Sequence, residues 1–427
     1  MSGGAGTADR QGPARRGLIR DIGWSAVLKI GYLALQTSVN IVLARLLGVE
    51  SFGFYALVMA WVQLLLVPVL LGFPASLVRH MGQHAAAGTG FAARRLMRVA
   101  AAAVLGTAML AAGLWAATGF LLDPGHGIAV AVLVVALSQT EIAGAALRGL
   151  GHVVASQLAQ QILRPAMFLM LLGFAVLTGV TMAPGTAFAF HAGAAALAAG
   201  IAMALLQRPL ARLPDHGDRQ NAPQILFASL PFLLLASIQA LNYQIDLVVV
   251  GMLMQPADVG LYRAAVQVVD GLGVVLFAFS MALGPRIVRL QAEKDPDALG
   301  RLLLRAHLTA GAIMLVAAGT VAALAAPIVT LLFGAAFAPA AAPLILLALG
   351  KILYACVGFS GLGLSMLGRP GRSTWALSFG LVLNVVLTVW LIPLYGLIGA
   401  AMATVIAAFA GNLLAAVLLA RAIRALR

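Results

Sequence analysis

Charge is what this sequence has least of. Asp, Glu, Lys and Arg make up only 9% of its 427 residues, where a soluble domain carries roughly 25%, and a water-solvated globule is thereby excluded. Cysteine is almost absent. The single Cys356 rules out an intrachain disulfide and, inside an apolar run, reads as a packing residue. Long polar connections are missing too: none exceeds about 20 residues, far below the 50 or more of a folded domain. The chain also lacks G-x-x-x-x-G-K-[ST], H-E-x-x-H and G-x-S-x-G, and Gly350-Lys351 falls within an apolar run. No nucleotide-driven or hydrolytic chemistry has a motif to carry it, so any activity lies among apolar helices.

What is present is apolar length. Hydrophobic residues make up 62% of the chain and the mean hydropathy is +1.03. The net charge of +14 could suggest nucleic acid, but basic residues between long apolar runs mark the cytoplasmic rims of membrane spans instead. The first apolar stretch, 22–47, is long enough to cross a bilayer and no A-x-A-like site follows it. It reads as an uncleaved first helix. Runs of suitable length predict twelve spans, at 22–47, 53–78, 97–120, 127–147, 157–179, 185–206, 226–251, 259–283, 303–331, 341–364, 373–392 and 396–420.

The connections alternate in charge. The N-terminus, every even loop and the C-terminal tail hold 22 of the 27 Lys and Arg, from Arg10, Arg15, Arg16 and Arg20 to Arg421, Arg424 and Arg427. Odd loops hold Glu50, Asp123 and Asp258 and no basic residue. The positive-inside rule places both termini in the cytoplasm and supports an even span count. The expected fold is an all-α integral membrane protein of two pseudo-symmetric six-helix lobes around a central cavity. Its parts are a cytoplasmic segment at 1–21, an N-lobe at 22–206, a linker at 207–225, a C-lobe at 226–420 and a tail at 421–427.

An internal repeat supports the two lobes. Gly53 and Tyr55 match Gly260 and Tyr262 at an offset of 207, and Arg79 matches Arg286 at the same offset. Leu147-x-x-Leu150-Gly151 is echoed by Leu364-x-x-Leu367-Gly368. Six spans per repeat give both lobes one orientation, an arrangement suited to alternating access.

Five basic residues remain inside the spans (Lys29, Arg45, Arg164, Arg263 and Lys351), with the acidic Glu141, Asp246 and Asp270. Such residues are expensive in lipid and mark cavities or pathways. Helical spacing aligns Lys29, Tyr32, Gln36 and Asn40; Gln239, Asn242 and Asp246; Arg263, Gln267 and Asp270; Ser138, Glu141 and Arg148; and Gln157, Gln161 and Arg164. Arg45 and Arg148 lie near span ends, where snorkelling explains them as anchors. Arg164, before Pro165, suits a cavity or a structural role equally, and Arg263 suits a cavity or a pair with Asp246 or Asp270. Lys29 and Lys351 are deeper and read as cavity residues. His191 reads as packing, and Pro68, Pro74 and the Gly358–Gly363 stretch as helix interruptions. A cleft with more cations than carboxylates suits an anion, phosphate foremost.

The stretch from Leu43 to Ala56, LARLLGVESFGFYA, resembles the helix 1–2 junction of Wzx-type oligosaccharide-lipid flippases. These form the polysaccharide transporter branch of the multidrug/oligosaccharidyl-lipid/polysaccharide exporter superfamily. Asp246, Gly260-Leu261-Tyr262, Pro285-Arg286, Phe333-Gly334 with Phe337, and Asn384 with the run from Leu391 to Ala401 are similar to later signatures of that family. The resemblance implies a non-enzymatic transporter in the bacterial inner membrane. Its cargo would be an undecaprenyl-pyrophosphate-linked oligosaccharide, and membrane lipids and glycan-assembly proteins its other partners, with no nucleic acid. It implies substrate contacts at Lys29, Arg164, Arg263, Lys351, Gln36, Asn40 and Asn242. Asp246, Asp270 and Glu141 would couple flipping to H+ or Na+, with no other cofactor and no structural metal. The alternatives are a multidrug or other solute exporter of the same superfamily, a membrane-embedded polymerase or ligase, and a non-transporting scaffold.

Overall fold

The structure is a computed structural model describing residues 11–119, 124–215 and 222–425, with side chains described from Val27 onward except at 124–125, 222–232, 234 and 235. The expectations for Arg10, Asp123, Arg219 and Arg427, and for the side chains of Arg15, Arg16 and Arg20, lie outside the described residues. Among those residues the chain is helical, with one isolated strand-like bridge between Thr89 and Asp215.

Fourteen α-helices follow one another. They are α1 (Gln11–Leu70), α2 (Phe73–Ala87), α3 (Gly90–Thr118), α4 (Pro124–Gly149), α5 (Val153–Gln157), α6 (Leu163–Thr178), α7 (Pro184–Ala211), α8 (Ala222–Leu253), α9 (Pro256–Ala292), α10 (Pro296–Ala323), α11 (Ala325–Phe333), α12 (Ala341–Ala355), α13 (Ser360–Met366) and α14 (Pro370–Arg424). A π-helix (Leu158–Ile162) joins α5 to α6 and a 3-10 helix (Ala335–Ala340) joins α11 to α12. The starts are written in the sequence. Pro256 opens α9 behind a capping box of Gln255 and Asp258, and the Asp295 side chain caps α10 by accepting from Ala298 N at 2.8 Å.

By length and apolarity, 10 helices among the described residues can cross a membrane, where the sequence predicts twelve crossings. Two of the ten, α1 and α14, are each broken by one glycine. Gly396 has φ 56° and ψ −136°, outside any helix. Gly380 and Gly411 lie backbone to backbone across that break: a Cβ on Gly411 would meet Gly380 Cα at 3.2 Å. In an unbroken helix they would be about 46 Å apart, so α14 doubles back at Gly396. Gly48, at φ 74° and ψ 176°, interrupts α1 in the same way. The apolar part of α1, Val27–Leu70, has 44 residues; unbroken it would be about 66 Å long, twice the hydrocarbon thickness. The second predicted span also ends early. Leu71 and Gly72, both at positive φ, stop the helix, and Pro74 starts α2 afresh.

The chain clusters into two compact units. The first contains residues up to Val39, Leu66–Thr181 and Gly185–Leu233; the second contains Asn40–Leu65, Met182–Pro184 and the chain from Leu234 onward. In the first unit α4 packs on α2 and α3, and α7 presents buried Ala187, Ala194, Ala195, Ala198 and Ala202. Close packing of small residues replaces the hydrophobic drive that lipid removes. The start of the linker docks on α3: Gly90 N donates to Pro214 O at 2.6 Å, and Arg94 pairs with Asp215. In the second unit Phe52, Phe333 and Phe337 form a fully buried aromatic core, with Phe52 set edge-on to Phe337. Arg45 is no mere anchor. Its Nε donates to Leu332 O at 2.7 Å and its Nη2 to Leu331 O, which satisfies the free carbonyls at the end of α11. Cys356 is exposed at the point where α12 unwinds into the turn that carries Gly358, with its Sγ set close to Gly311 of α10.

The repeat also appears in the packing. A Cβ on Gly53 would collide with Pro256 O, and one on Gly260 with Val49 O. Val49 and Pro256 are themselves related by the offset of 207. The contact is therefore reciprocal, as an interface across a two-fold axis is.

Candidate functional site

A polar network lies inside apolar helices in each unit, and each is built round a glutamine. In the first unit α4 sets Glu141 and Arg148 two turns apart on one face. The facing chain leaves α geometry at the π-helix, which adds a residue to the turn and aims Gln160 at α4. Gln160 Nε2 donates to Glu141 Oε2 at 2.8 Å and to the Glu141 carbonyl at 3.1 Å. Its Oε1 accepts from Arg148 Nη1, which also donates to Ser156 Oγ at 3.2 Å. A neutral amide thus bridges the carboxylate and the guanidinium. Gly144 leaves room for it, since a Cβ there would meet Gln160 Nε2 at 2.7 Å.

The other predicted residues of this unit form no hydrogen bond to that bridge, though Arg164 lies within electrostatic reach of Glu141. Lys29 Nζ is 5.0 Å from the centre of the Tyr32 ring. Gln36 and Arg164 are half-buried and form no hydrogen bond among the described residues. Gln157 and Gln161, the neighbours of Arg164 on its stripe, each bury a side-chain oxygen without a donor. His191 is buried and stacks on Phe168 at 4.5 Å, which is packing.

In the second unit Gln267 Oε1 gathers Asn40 Nδ2 at 2.5 Å and Arg263 Nη2 at 3.2 Å. Arg263 makes no ion pair with Asp246 or Asp270; it turns along its own helix to Gln267. The carboxylates have other donors. Asp246 accepts from Leu247 N at 2.9 Å and from Tyr262 OH at 3.1 Å, and Tyr262 OH meets Thr404 Oγ1 at 3.0 Å. The Asp246–Tyr262–Thr404 chain ties α8, α9 and the second arm of α14 together. Asp270 accepts from Tyr243 OH at 3.3 Å. Asn242 donates to Ile238 O of its own helix, and Lys351 Nζ lies 6.0 Å from the Tyr354 ring.

Sequence spacing therefore finds the charges and Gln267, the partner of Arg263, and misses two others. Gln160 and Thr404 carry no charge and fall off the polar stripes. The signal for Gln160 is the pair Gln160-Gln161: an α-helix turns its neighbours 100° apart, so no single α-helical face shows both.

Similar proteins share this architecture. The lipid II flippase MurJ, in an inward closed conformation, matches with a TM-score of 0.71 at 13% identity, over 92% of this chain and 86% of MurJ. An inward-facing multidrug resistance MATE family transporter of the MOP superfamily matches with a TM-score of 0.71 at 15% identity, over 94% of this chain and 98% of its own. These likenesses are of fold. In sequence, the probable low-salt glycan biosynthesis flippase Agl15 of Haloferax volcanii is 26% identical over 167 residues, 39% of this chain. The chain spans only 35% of that relative's length. The broadest sequence match is to the family described as polysaccharide biosynthesis protein, over residues 18–291, well over half of the chain, and the chain is a member of that family.

Proposed function

We propose that this protein flips a polyprenyl-pyrophosphate-linked oligosaccharide from the cytoplasmic to the periplasmic leaflet of the bacterial inner membrane, for surface polysaccharide synthesis. The observation that carries this reading is the set of half-buried cations, Lys29, Arg164, Arg263 and Lys351, within apolar spans of a polysaccharide-family chain. Cations at such depth are costly unless they serve a wet path or an anionic cargo, and a pyrophosphate is the anion such a cargo presents. The chain would cross the membrane twelve times, with α1 and α14 each crossing twice and both termini in the cytoplasm. It would act as a transporter, with no catalytic step.

Asp246 is the coupling carboxylate best supported by geometry. A proton or Na+ on it would compete with the Tyr262 hydroxyl and loosen the tie among α8, α9 and α14. Glu141 and Asp270, held by single side-chain donors, are the further coupling candidates. Glycan-assembly proteins would supply and receive the cargo.

Lys29→Ala and Arg263→Ala should each abolish surface glycan while the protein stays in the membrane, checked by glycan staining and membrane immunoblot of the same cells. Wild-type glycan in both variants would sink the proposal.

A further inference from the structure

The second unit encloses a cavity of about 440 Å³ bounded by α8, α9, α12, α13 and α14, within the 300–1,000 Å³ range of ordinary ligand pockets. No Asp, Glu, Lys or Arg lines it, although the sequence reading expects charge in the path. Its polar groups are the amides of Asn242, Asn384 and Asn412 and the hydroxyls of Tyr354, Thr404 and three serines, Ser280, Ser365 and Ser373.

Each amide has one end tied and one end free. Asn242 Nδ2 donates to Ile238 O at 3.0 Å and Asn412 Nδ2 to Ala408 O at 2.8 Å, leaving both Oδ1 atoms as open acceptors. Asn384 Oδ1 accepts from Thr388 at 3.2 Å, leaving its NH2 as an open donor. Among apolar helices such groups are costly unless water or a ligand meets them. One wall is aromatic: Gly358 lets the Tyr354 ring approach the chain closely, since a Cβ there would meet the ring at 2.5 Å. Lys351, whose Nζ is 6.0 Å from that ring, lies just outside the lining.

A pyrophosphate only accepts hydrogen bonds and calls for cations, which the lining lacks. A lipophilic cation would call for carboxylates, which it also lacks. A pyranose hydroxyl both donates and accepts, is neutral, and packs its ring face on an aromatic ring. We infer that this cavity is a subsite for neutral sugar residues of the cargo, held by Asn242, Asn384 and Asn412 against Tyr354, with the pyrophosphate kept outside at Lys351. The inference rests on the proposed function and divides its cargo into a neutral part and an anionic part.

Native mass spectrometry of the full-length protein in detergent tests it, with undecaprenyl pyrophosphate and undecaprenyl-pyrophosphoryl-N-acetylglucosamine as probes. Wild-type protein should hold the glycosylated probe about tenfold more tightly, as two or more net hydrogen bonds allow. Asn384→Ala and Asn412→Ala should remove that preference and leave undecaprenyl pyrophosphate binding unchanged. Ala408→Leu, which fills the cavity without deleting a polar group, should do the same should the asparagine variants fail to fold. Equal wild-type affinity for both probes overturns the sugar subsite and leaves the flippase reading standing. If wild-type protein binds neither probe, both fail.

Discussion

Gln160 shows how a buried pair of opposite charges can be held without direct contact. Glu141 and Arg148 each lose water inside the first unit, and one amide gives the carboxylate a donor and the guanidinium an acceptor. Gln160→Leu keeps the volume and removes both bonds. The variant should lose about 1–3 kcal/mol, the cost of leaving buried polar groups unpaired, read as a lower melting temperature in detergent. Glu141→Leu added to Gln160→Leu should restore part of the loss; an unchanged melting temperature in the single variant would show the bridge to be idle. The two charges are legible in the sequence because lipid makes any charge conspicuous. Gln160 is not, because on an ideal helix Gln157, Gln161 and Arg164 form the stripe and Gln160 points elsewhere. Only the π-helix brings it round, and nothing in a hydropathy pattern reports a π turn.

Among the elements, spans were the easiest to read. The runs from 97 to 206 and the start of α9 follow from apolar length, capping residues and Pro256. Hydropathy is blind to where a helix breaks, since glycine and leucine inside an apolar window raise no signal. The stop at Leu71-Gly72 and the unwinding after α12 therefore leave no mark in it beyond Pro74 and the Gly358–Gly363 stretch. Gly396 is the clearest break. A Cβ there would meet nothing closer than Met254 Cε at 3.7 Å, so space does not demand glycine, but φ 56° with ψ −136° does. Gly396→Ala should therefore cost about 1–3 kcal/mol through backbone strain alone. Thermal unfolding of the purified variant measures it, and a wild-type melting temperature would mean that the turn is not strained by a side chain.

At the scale of the whole molecule, the repeat and the chemistry part company. The matched Gly53 and Gly260 meet reciprocally, and the matched Tyr55 and Tyr262 are both buried. The polar residues are matched only in part: at the offset of 207, Asp246 falls on Val39, Arg263 on Ala56 and Gln267 on Ala60, while Asp270 falls on Gln63. The reciprocal glycine contact follows the repeat, and Asp246, Arg263 and Gln267 do not. The candidate site is legible in the sequence as buried charge with Gln36, Asn40 and Asn242 beside it, whereas Asn384 and Asn412 of the neutral cavity look like ordinary interhelical glue. The glycine contact itself can be tested by coupling. Gly53→Ala and Gly260→Ala should each destabilise by about 1–3 kcal/mol, as overpacking does. The double variant should cost little more than either single one, since both push the same two helices apart. Full additivity in denaturation would mean that the two glycines relax independently.

That contact also says something about ancestry. Were the two like halves the product of duplication and fusion, a shorter ancestor would have met its own copy, and a position on the axis would have met itself. Any substitution at the ancestral glycine would have altered both faces of the interface in one stroke, with no separate partner gene in which a compensating change could arise. Only after the gene was duplicated and fused could the two sides drift apart, and at this position they have not.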